Sequence, residues 1–196
     1  LLGLVGSEMC IRDRFFWITT LNQPLIDKHS FRQTQTALTV LFNPNLITNF
    51  LNYKTPVLGF PWQIPFEFPL FQIFVSSISR FLSINISTLG RLTSIILGVG
   101  CLIPIRKILK IFNVNSLGIK AFFILYFSSS IYLYWNRAFL IESTSLFLSL
   151  WSVYLYLKIL YEIENCILSK WLIIQSLLLF GTLTLSMLVK ITTAFP

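Results

Sequence analysis

The chain has 196 residues, of which 55% are hydrophobic and only 11% are charged, and its formal net charge is +8. Soluble domains carry roughly 25% charged residues, so this composition excludes an ordinary soluble domain. The basic excess indicates orientation in a membrane, since the sequence has no basic and aromatic groove motif for nucleic acid. The cysteines Cys10, Cys101 and Cys166 are far apart and form no CxxC motif, which excludes a disulfide framework and a zinc site.

The first 14 residues, LLGLVGSEMCIRDR, differ from the rest of the chain. Their charges follow the apolar residues, which is the reverse of the order in a signal peptide. Residues 4–13 correspond to the codons CTC GTG GGC TCG GAG ATG TGT ATA AGA GAC, which resemble the end of a transposase-type sequencing adapter. We therefore expect residues 1–14 to be an adapter-derived artefact. We expect residues 15–25 to be the end of a truncated first transmembrane helix, and the C-terminus to be truncated as well.

Residues 26–89 are predicted to form a long first external loop that bears two helices lying in the membrane interface. The first of these covers residues 30–42, where polar and apolar side chains separate onto two faces. Pro44 disfavours helix at the preceding residue and is expected to end it. The polar face consists of Arg32, Gln35, Thr36 and Thr39.

The second interfacial helix is predicted over residues 68–82, where one polar stripe runs along an otherwise apolar helix. The alternative is that this segment spans the membrane. If it spanned the membrane, the basic cluster of residues 106–120 would lie on the outer side. This is disfavoured, because basic loops prefer the cytoplasmic side. The stripe consists of Gln72, Ser76, Ser79 and Arg80.

Residues 90–196 are predicted to contain four transmembrane helices, because each charge-free stretch, with its flanking cations, reaches the 17–25 residues that a bilayer requires. The expected ranges are 90–109, 119–136, 142–160 and 171–189. The cluster of Arg106, Lys107, Lys110 and Lys120 contains no acid and is placed inside. The loop 26–89, the turn RAFLIE and Lys190 are then placed on the outer face. The sequence thus predicts an all-α, multi-pass membrane protein.

Five short motifs occur in the order HSFRQTQTA, FEFPLFQ, GRL, RAFLIES and LVKITT. This set resembles the N-terminal part of the polyprenyl-phosphate-dependent glycosyltransferases of the GT-C superfamily, nearest to protein mannosyltransferases and aminoarabinose transferases. The resemblance covers most of residues 26–193. It implies a GT-C-like helix bundle in the inner membrane of a bacterium, with the reaction at the outer face.

The resemblance implies transfer of a sugar from a lipid-phosphate donor to a hydroxyl of a glycan, lipid or protein, with a loop carboxylate as general base. Many relatives have an Asp where this chain has Gln35. An amide cannot accept a proton usefully, so the predicted base is Asp27, with Glu67 second. The structural alternatives are that Asp27 is a helix N-cap and that Glu67 complements a helix dipole.

Arg32 and Arg137 are the expected phosphate partners, and His29, Gln35, Glu142 and Lys190 complete the predicted substrate-binding set. Structural alternatives are a pair between Arg137 and Glu142 and a membrane-anchoring role for Lys190. No metal site is predicted, although His29 and Glu67 could meet in one. The tyrosines and tryptophan of residues 126–135 are expected to form an interfacial aromatic belt rather than a sugar platform.

Two other classes of protein compete with the transferase. One is a multi-pass transporter or flippase, and the other is a non-catalytic membrane assembly protein. Charges at helix ends favour a surface-site enzyme over a transporter, which needs ionisable residues near the membrane midplane. We expect the enzyme to need the missing parts of the chain, so that this fragment alone is inactive.

Overall fold

The computed structural model describes residues 21–25, 29–57, 59–62, 67–82, 84–165 and 171–194. These residues contain helices and no β-strand. The helices are α1 (Ser30–Phe42), α2 (Leu70–Ser79), α3 (Ile86–Gly100), α4 (Leu102–Ile111), α5 (Ser116–Ser128), α6 (Ser130–Arg137), α7 (Glu142–Glu164) and α8 (Trp171–Ala194). The predicted artefact and the predicted base Asp27 lie outside the described residues. Of the expected first transmembrane helix, only residues 21–25 are described, and they form turns and bends.

Helix α1 has the bounds that the sequence predicts, and it ends one residue before the Asn43–Pro44 pair. Two residues of its polar face, Thr36 and Thr39, are buried inside the protein, and so is the neighbouring Gln33. Its apolar face is outside, where Phe31 is 65% exposed. A helix with this inverted polarity fits a position against lipid, because its apolar side chains then avoid water.

Helix α2 has ten residues, which corresponds to a length of about 15 Å. A bilayer core is about 30 Å thick, so α2 is too short to cross it. Its buried side chains include Phe71 and Val75, which join a core with Val40 of α1, Leu89 of α3 and Phe139. This core fixes both loop helices against one end of the helix bundle.

Three helical stretches of the described chain are long and apolar enough to cross a membrane: Ile86–Ile111, Glu142–Glu164 and Trp171–Thr192. The first stretch comprises α3 and α4, joined at Cys101. Pro104 explains this joint, because its ring clashes with the carbonyl of the residue four positions earlier and it lacks an N–H donor.

The predicted continuous helix over residues 119–136 is wrong. The structure has two helices, α5 and α6, bent by 66° at Ser129, and they make a fourth span only if both belong to one crossing. Ser129 has extended backbone torsions, with φ −74° and ψ 117°. The bend turns α6 towards α3, so that Trp135 reaches His29, the residue before α1, at the end of the bundle that holds the loop.

The packing of α3 on α6 depends on glycine. A Cβ atom at Gly98 would overlap the side chain of Asn136, whose Nδ2 donates to the Tyr126 hydroxyl at 3.2 Å. The same hydroxyl donates to the Gly98 carbonyl at 2.8 Å. Small residues let helix backbones approach closely, which is how helices associate in membranes.

We expect Gly98→Ala to lower the stability of the chain, because overpacking costs about 1–3 kcal/mol and exceeds the roughly 0.5–1 kcal/mol that alanine gains in a helix. Gly181→Ala is the matched control, since nothing lies within 4 Å of its added Cβ. Thermal unfolding in detergent, followed by circular dichroism, should show a lower midpoint for Gly98→Ala and an unchanged or higher one for Gly181→Ala. Equal shifts in the two variants would contradict this packing.

Candidate functional site

Four charged side chains meet where the loop lies on the helix bundle. The Arg32 guanidinium lies 2.5 Å from Glu67 Oε1 and 3.4 Å from Glu142 Oε1. Lys190 also forms an ion pair with Glu142 Oε1. We call Arg32, Glu67, Glu142 and Lys190 the charged cluster. All four are among the residues that the sequence predicts for the site, and they come from four separate segments.

Glu67 is held just before α2 by the loop. The Tyr53 hydroxyl donates to the Glu67 carbonyl and accepts from the Glu67 N–H at 3.2 Å. The Glu67 side chain is 18% exposed. Burial raises the pKa of Glu67 above its ordinary value. The Arg32 guanidinium lowers this pKa, but its effect is smaller than that of burial. A carboxylate with a raised pKa is a better proton acceptor near neutral pH than an ordinary one.

Glu142 begins α7, and its two oxygens have different surroundings. Oε1 accepts from both Arg32 and Lys190. Oε2 is buried and has no hydrogen-bond partner within the described residues. A buried carboxylate oxygen without a donor is costly, and a hydroxyl group of a ligand would satisfy it.

Lys190 reaches Glu142 because α8 is interrupted at that residue. Lys190 has an extended backbone, with φ −164° and ψ 104°. Ser145 Oγ of α7 donates to the Lys190 carbonyl at 3.1 Å, and Ser186 Oγ donates to the Ser145 carbonyl at 3.0 Å. These bonds join α7 and α8 next to the cluster and orient the Lys190 side chain.

A cavity of about 300 Å³ adjoins the charged cluster. Glu142 and Lys190 form its charged wall, and side chains of α6 and the start of α7 form the rest. Trp135 of α6 packs on the His29 ring, with 5.3 Å between the ring centroids. The remaining lining residues are Ile131, Tyr132, Asn136, Ser143 and Leu146. The cavity therefore combines apolar and aromatic surface with a few polar groups, as small-molecule binding pockets do.

The other predicted site residues have different surroundings. Arg137 is 9% exposed, and its guanidinium packs on the Tyr134 ring at 5.5 Å from the centroid. Glu142 pairs with Arg32 and Lys190 and not with Arg137, which was the structural alternative for those two residues. Gln35 is half-buried on α1, and its carbonyl accepts from Thr39 Oγ1 at 2.9 Å.

Gln33 contributes to the site although it is not among the residues that the sequence predicts for it. Its side chain is fully buried, and its Oε1 accepts from the Phe139 N–H at 3.1 Å. This bond ties α1 to the turn that precedes Glu142, so it positions Arg32 relative to Glu142. Its spacing of three residues from Thr36 was the available signal, because such residues share a helix face.

The predicted aromatic belt is partly wrong. Tyr126 is only 4% exposed and its ring stacks on Tyr132 at 4.5 Å, so it belongs to the interior of the bundle. Trp135 and Tyr132 line the cavity next to the charged cluster. In the described part of the chain, no group of three or more His, Cys, Asp or Glu side chains is arranged to hold a metal ion.

No protein-family model, no curated protein and no solved structure matches this chain.

Proposed function

We propose that this chain belongs to a multi-pass membrane glycosyltransferase that uses a lipid-phosphate sugar donor. The observation that carries the proposal is the charged cluster beside an aromatic cavity at one end of the helix bundle. A lipid-linked donor has its phosphate and sugar at the membrane surface, so a site at helix ends meets them without drawing them into the bilayer. The sequence motifs that resemble GT-C enzymes include all four residues of the cluster.

The donor phosphate gains negative charge as its bond to the sugar breaks, and it needs cations at that moment. Arg32 and Lys190 supply two, and the planar Arg32 guanidinium suits a phosphate. Both are paired with carboxylates, Arg32 with Glu67 and Lys190 with Glu142. Binding of the phosphate would draw Arg32 away from Glu67. This would remove the contact that lowers the pKa of Glu67 and so make Glu67 a stronger base.

In the proposed reaction the hydroxyl oxygen of the acceptor attacks the anomeric carbon of the sugar. Glu67 accepts the hydroxyl proton, and the electron pair of the broken C–O bond stays on the lipid phosphate. Glu142 Oε2 accepts a hydrogen bond from a sugar hydroxyl in the cavity. Asp27 remains the other candidate base, and its prediction falls outside the described residues.

A transporter is the second candidate function, and the position of the charges argues against it. Glu142 is the first residue of α7, and Glu67 lies before α2. Lys190 is the third residue from the end of the span Trp171–Thr192. Transporters place their binding sites near the membrane midplane. A cluster at helix ends serves a reaction at the surface better.

The direct test uses the full-length protein, purified in detergent and incubated with polyprenyl-phosphate-linked sugars. Mass spectrometry should detect free polyprenyl phosphate, which accumulates only when the sugar has been transferred or hydrolysed. A panel of hexose and pentose donors is tested with hydroxylated lipid and peptide acceptors present. If the protein turns over none of these donors, the proposed function is overturned.

The membrane placement predicts which residues an impermeant thiol reagent reaches in intact cells. Lys54→Cys in the loop should react from outside, whereas Ser116→Cys at the start of α5 should react only after permeabilisation. Both positions are exposed in the structure, so a lack of reaction reports the membrane and not burial. The background lacks Cys10, Cys101 and Cys166. The reversed pattern would place the basic residues outside and contradict the proposed orientation.

A further inference from the structure

A second cavity, of about 390 Å³, lies between α4 and α5, and the charged cluster does not contribute to it. Its lining residues are Leu102, Ile103, Arg106, Lys107, Lys110 and Phe123. The three cations are exposed. Half of the lining is thus basic and half is apolar, a combination that suits an amphiphile with a negative head.

The positive charge in this cavity is not neutralised within the part of the chain that the structure describes. No ion pair there joins Arg106 or Lys110 to a carboxylate. Residues 92–141 contain no Asp or Glu at all. Glu162 is engaged elsewhere, because it pairs with Lys158 at 3.6 Å and accepts from Gln175 at 3.1 Å.

Lys107 has a different role from the other two cations. Its ammonium lies 4.7 Å from the ring centroid of Trp151 and 4.9 Å from that of Tyr154, both on α7. These contacts are cation–π interactions, which hold the ammonium against α7. Arg106 and Lys110, one helical turn apart, remain available for an anion.

The order of the lining residues along α4 matches the order of parts in a phospholipid. Leu102 and Ile103 lie towards the middle of the span Ile86–Ile111, whereas Arg106 and Lys110 lie towards its end. A lipid in the adjoining leaflet has its acyl chains deep and its phosphate shallow. A free inorganic anion would make no favourable contact with the apolar half of the cavity.

We propose that this cavity binds one anionic phospholipid, with its phosphate between Arg106 and Lys110 and an acyl chain against Leu102, Ile103 and Phe123. Basic pockets between transmembrane helices bind anionic head groups in this way. The general preference of Lys and Arg for cytoplasmic loops explains why these three cations lie on one side of the membrane. It does not explain why they line the same cavity. The proposal rests on the proposed membrane placement of the helices and is independent of sugar transfer.

Trp151 provides the probe, because it lies next to the cavity through Lys107. The full chain, with its other four tryptophans replaced by Phe, is placed in phosphatidylcholine vesicles. One set of vesicles contains brominated phosphatidylglycerol, and a second set contains the same fraction of brominated phosphatidylcholine. The bromine of either lipid quenches the fluorescence of nearby tryptophan. We expect stronger quenching by the phosphatidylglycerol. Arg106→Gln and Lys110→Gln should each weaken the preference by roughly fivefold, the contribution of one cation near an anionic lipid.

Lys158→Gln is the matched control, because it removes one positive charge from the same end of the bundle but outside the cavity. It should leave the preference unchanged. Equal quenching by both lipids, or an equal loss in Lys158→Gln and Arg106→Gln, would show only general surface attraction and overturn the proposal. Loss of the preference on adding inorganic phosphate would also overturn it, in favour of a free anion. Equal helix content by circular dichroism ensures that each loss reports on the cavity.

Discussion

Glu67→Gln is expected to lower sugar transfer by about 10²–10⁴-fold, the usual contribution of a general base. The amide keeps the shape of the side chain and can still accept from Arg32, but it cannot take a proton. Binding of the donor should survive, because the cations of the site remain. The measurement is the rate of polyprenyl phosphate release at saturating donor, together with donor affinity from a separate titration.

Asp27→Asn distinguishes the two candidate bases in the same assay. If Glu67 is the base, Asp27→Asn should retain most of the activity. A fall of the same size in Asp27→Asn, with Glu67→Gln active, would assign the base to Asp27 and leave Glu67 as the partner of Arg32. Full activity in both variants would remove the loop-carboxylate mechanism for this chain, and Gln35 would then mark a real departure from the chemistry of the resembling enzymes.

Arg32→Ala is expected to weaken donor binding, because a hydrogen bond to a charged group contributes about 1.5–3 kcal/mol. This corresponds to roughly 10–150-fold in the dissociation constant. Arg32→Lys should restore only part of the affinity, since an ammonium offers a point charge in place of a planar fork. Arg80→Ala is the matched control, because Arg80 is exposed and donates to Asn45 Oδ1 at 2.9 Å, away from the cluster.

The pH dependence of Arg32→Ala gives a second readout. Arg32 lowers the pKa of Glu67, both by its charge and by its hydrogen bond, so its removal should raise that pKa further. The base is active when deprotonated. The acid limb of kcat/KM against pH, which reports the free enzyme in which Arg32 contacts Glu67, should therefore move to higher pH in Arg32→Ala and stay in place in Arg80→Ala. An unchanged acid limb would mean that the titrating group of the reaction is not next to Arg32.

The local features of the fold could be predicted from the sequence because they depend on short segments. The start and end of α1 follow from one polar face and from Pro44. The starts of α7 and α8, at Glu142 and Trp171, follow from the edges of charge-free stretches. The bend at Ser129 could not be predicted, because neither Gly nor Pro marks it and it depends on how α6 packs against α3.

The residues of the candidate site could be predicted from the sequence only in part. The sequence identified Arg32, Glu67, Glu142 and Lys190 as candidates, because few charges interrupt the apolar chain and their motifs resemble those of one enzyme family. It could not pair them, since Arg32 and Glu142 are 110 residues apart and their contact depends on how the loop lies on the bundle. The sequence instead suggests a pair between Arg137 and Glu142, because these two residues are close along the chain.

The sequence by itself determined that this protein is helical and has stretches long and apolar enough to cross a membrane, because hydrophobic length and charge spacing are properties of the chain alone. The tertiary structure decided which polar side chains are buried. It placed Gln33 rather than Gln35 against the Phe139 N–H, two positions that differ by about 200° around a helix with 3.6 residues per turn. It also made one guanidinium bridge two carboxylates, because only folding brings α1, the loop and α7 within hydrogen-bonding distance.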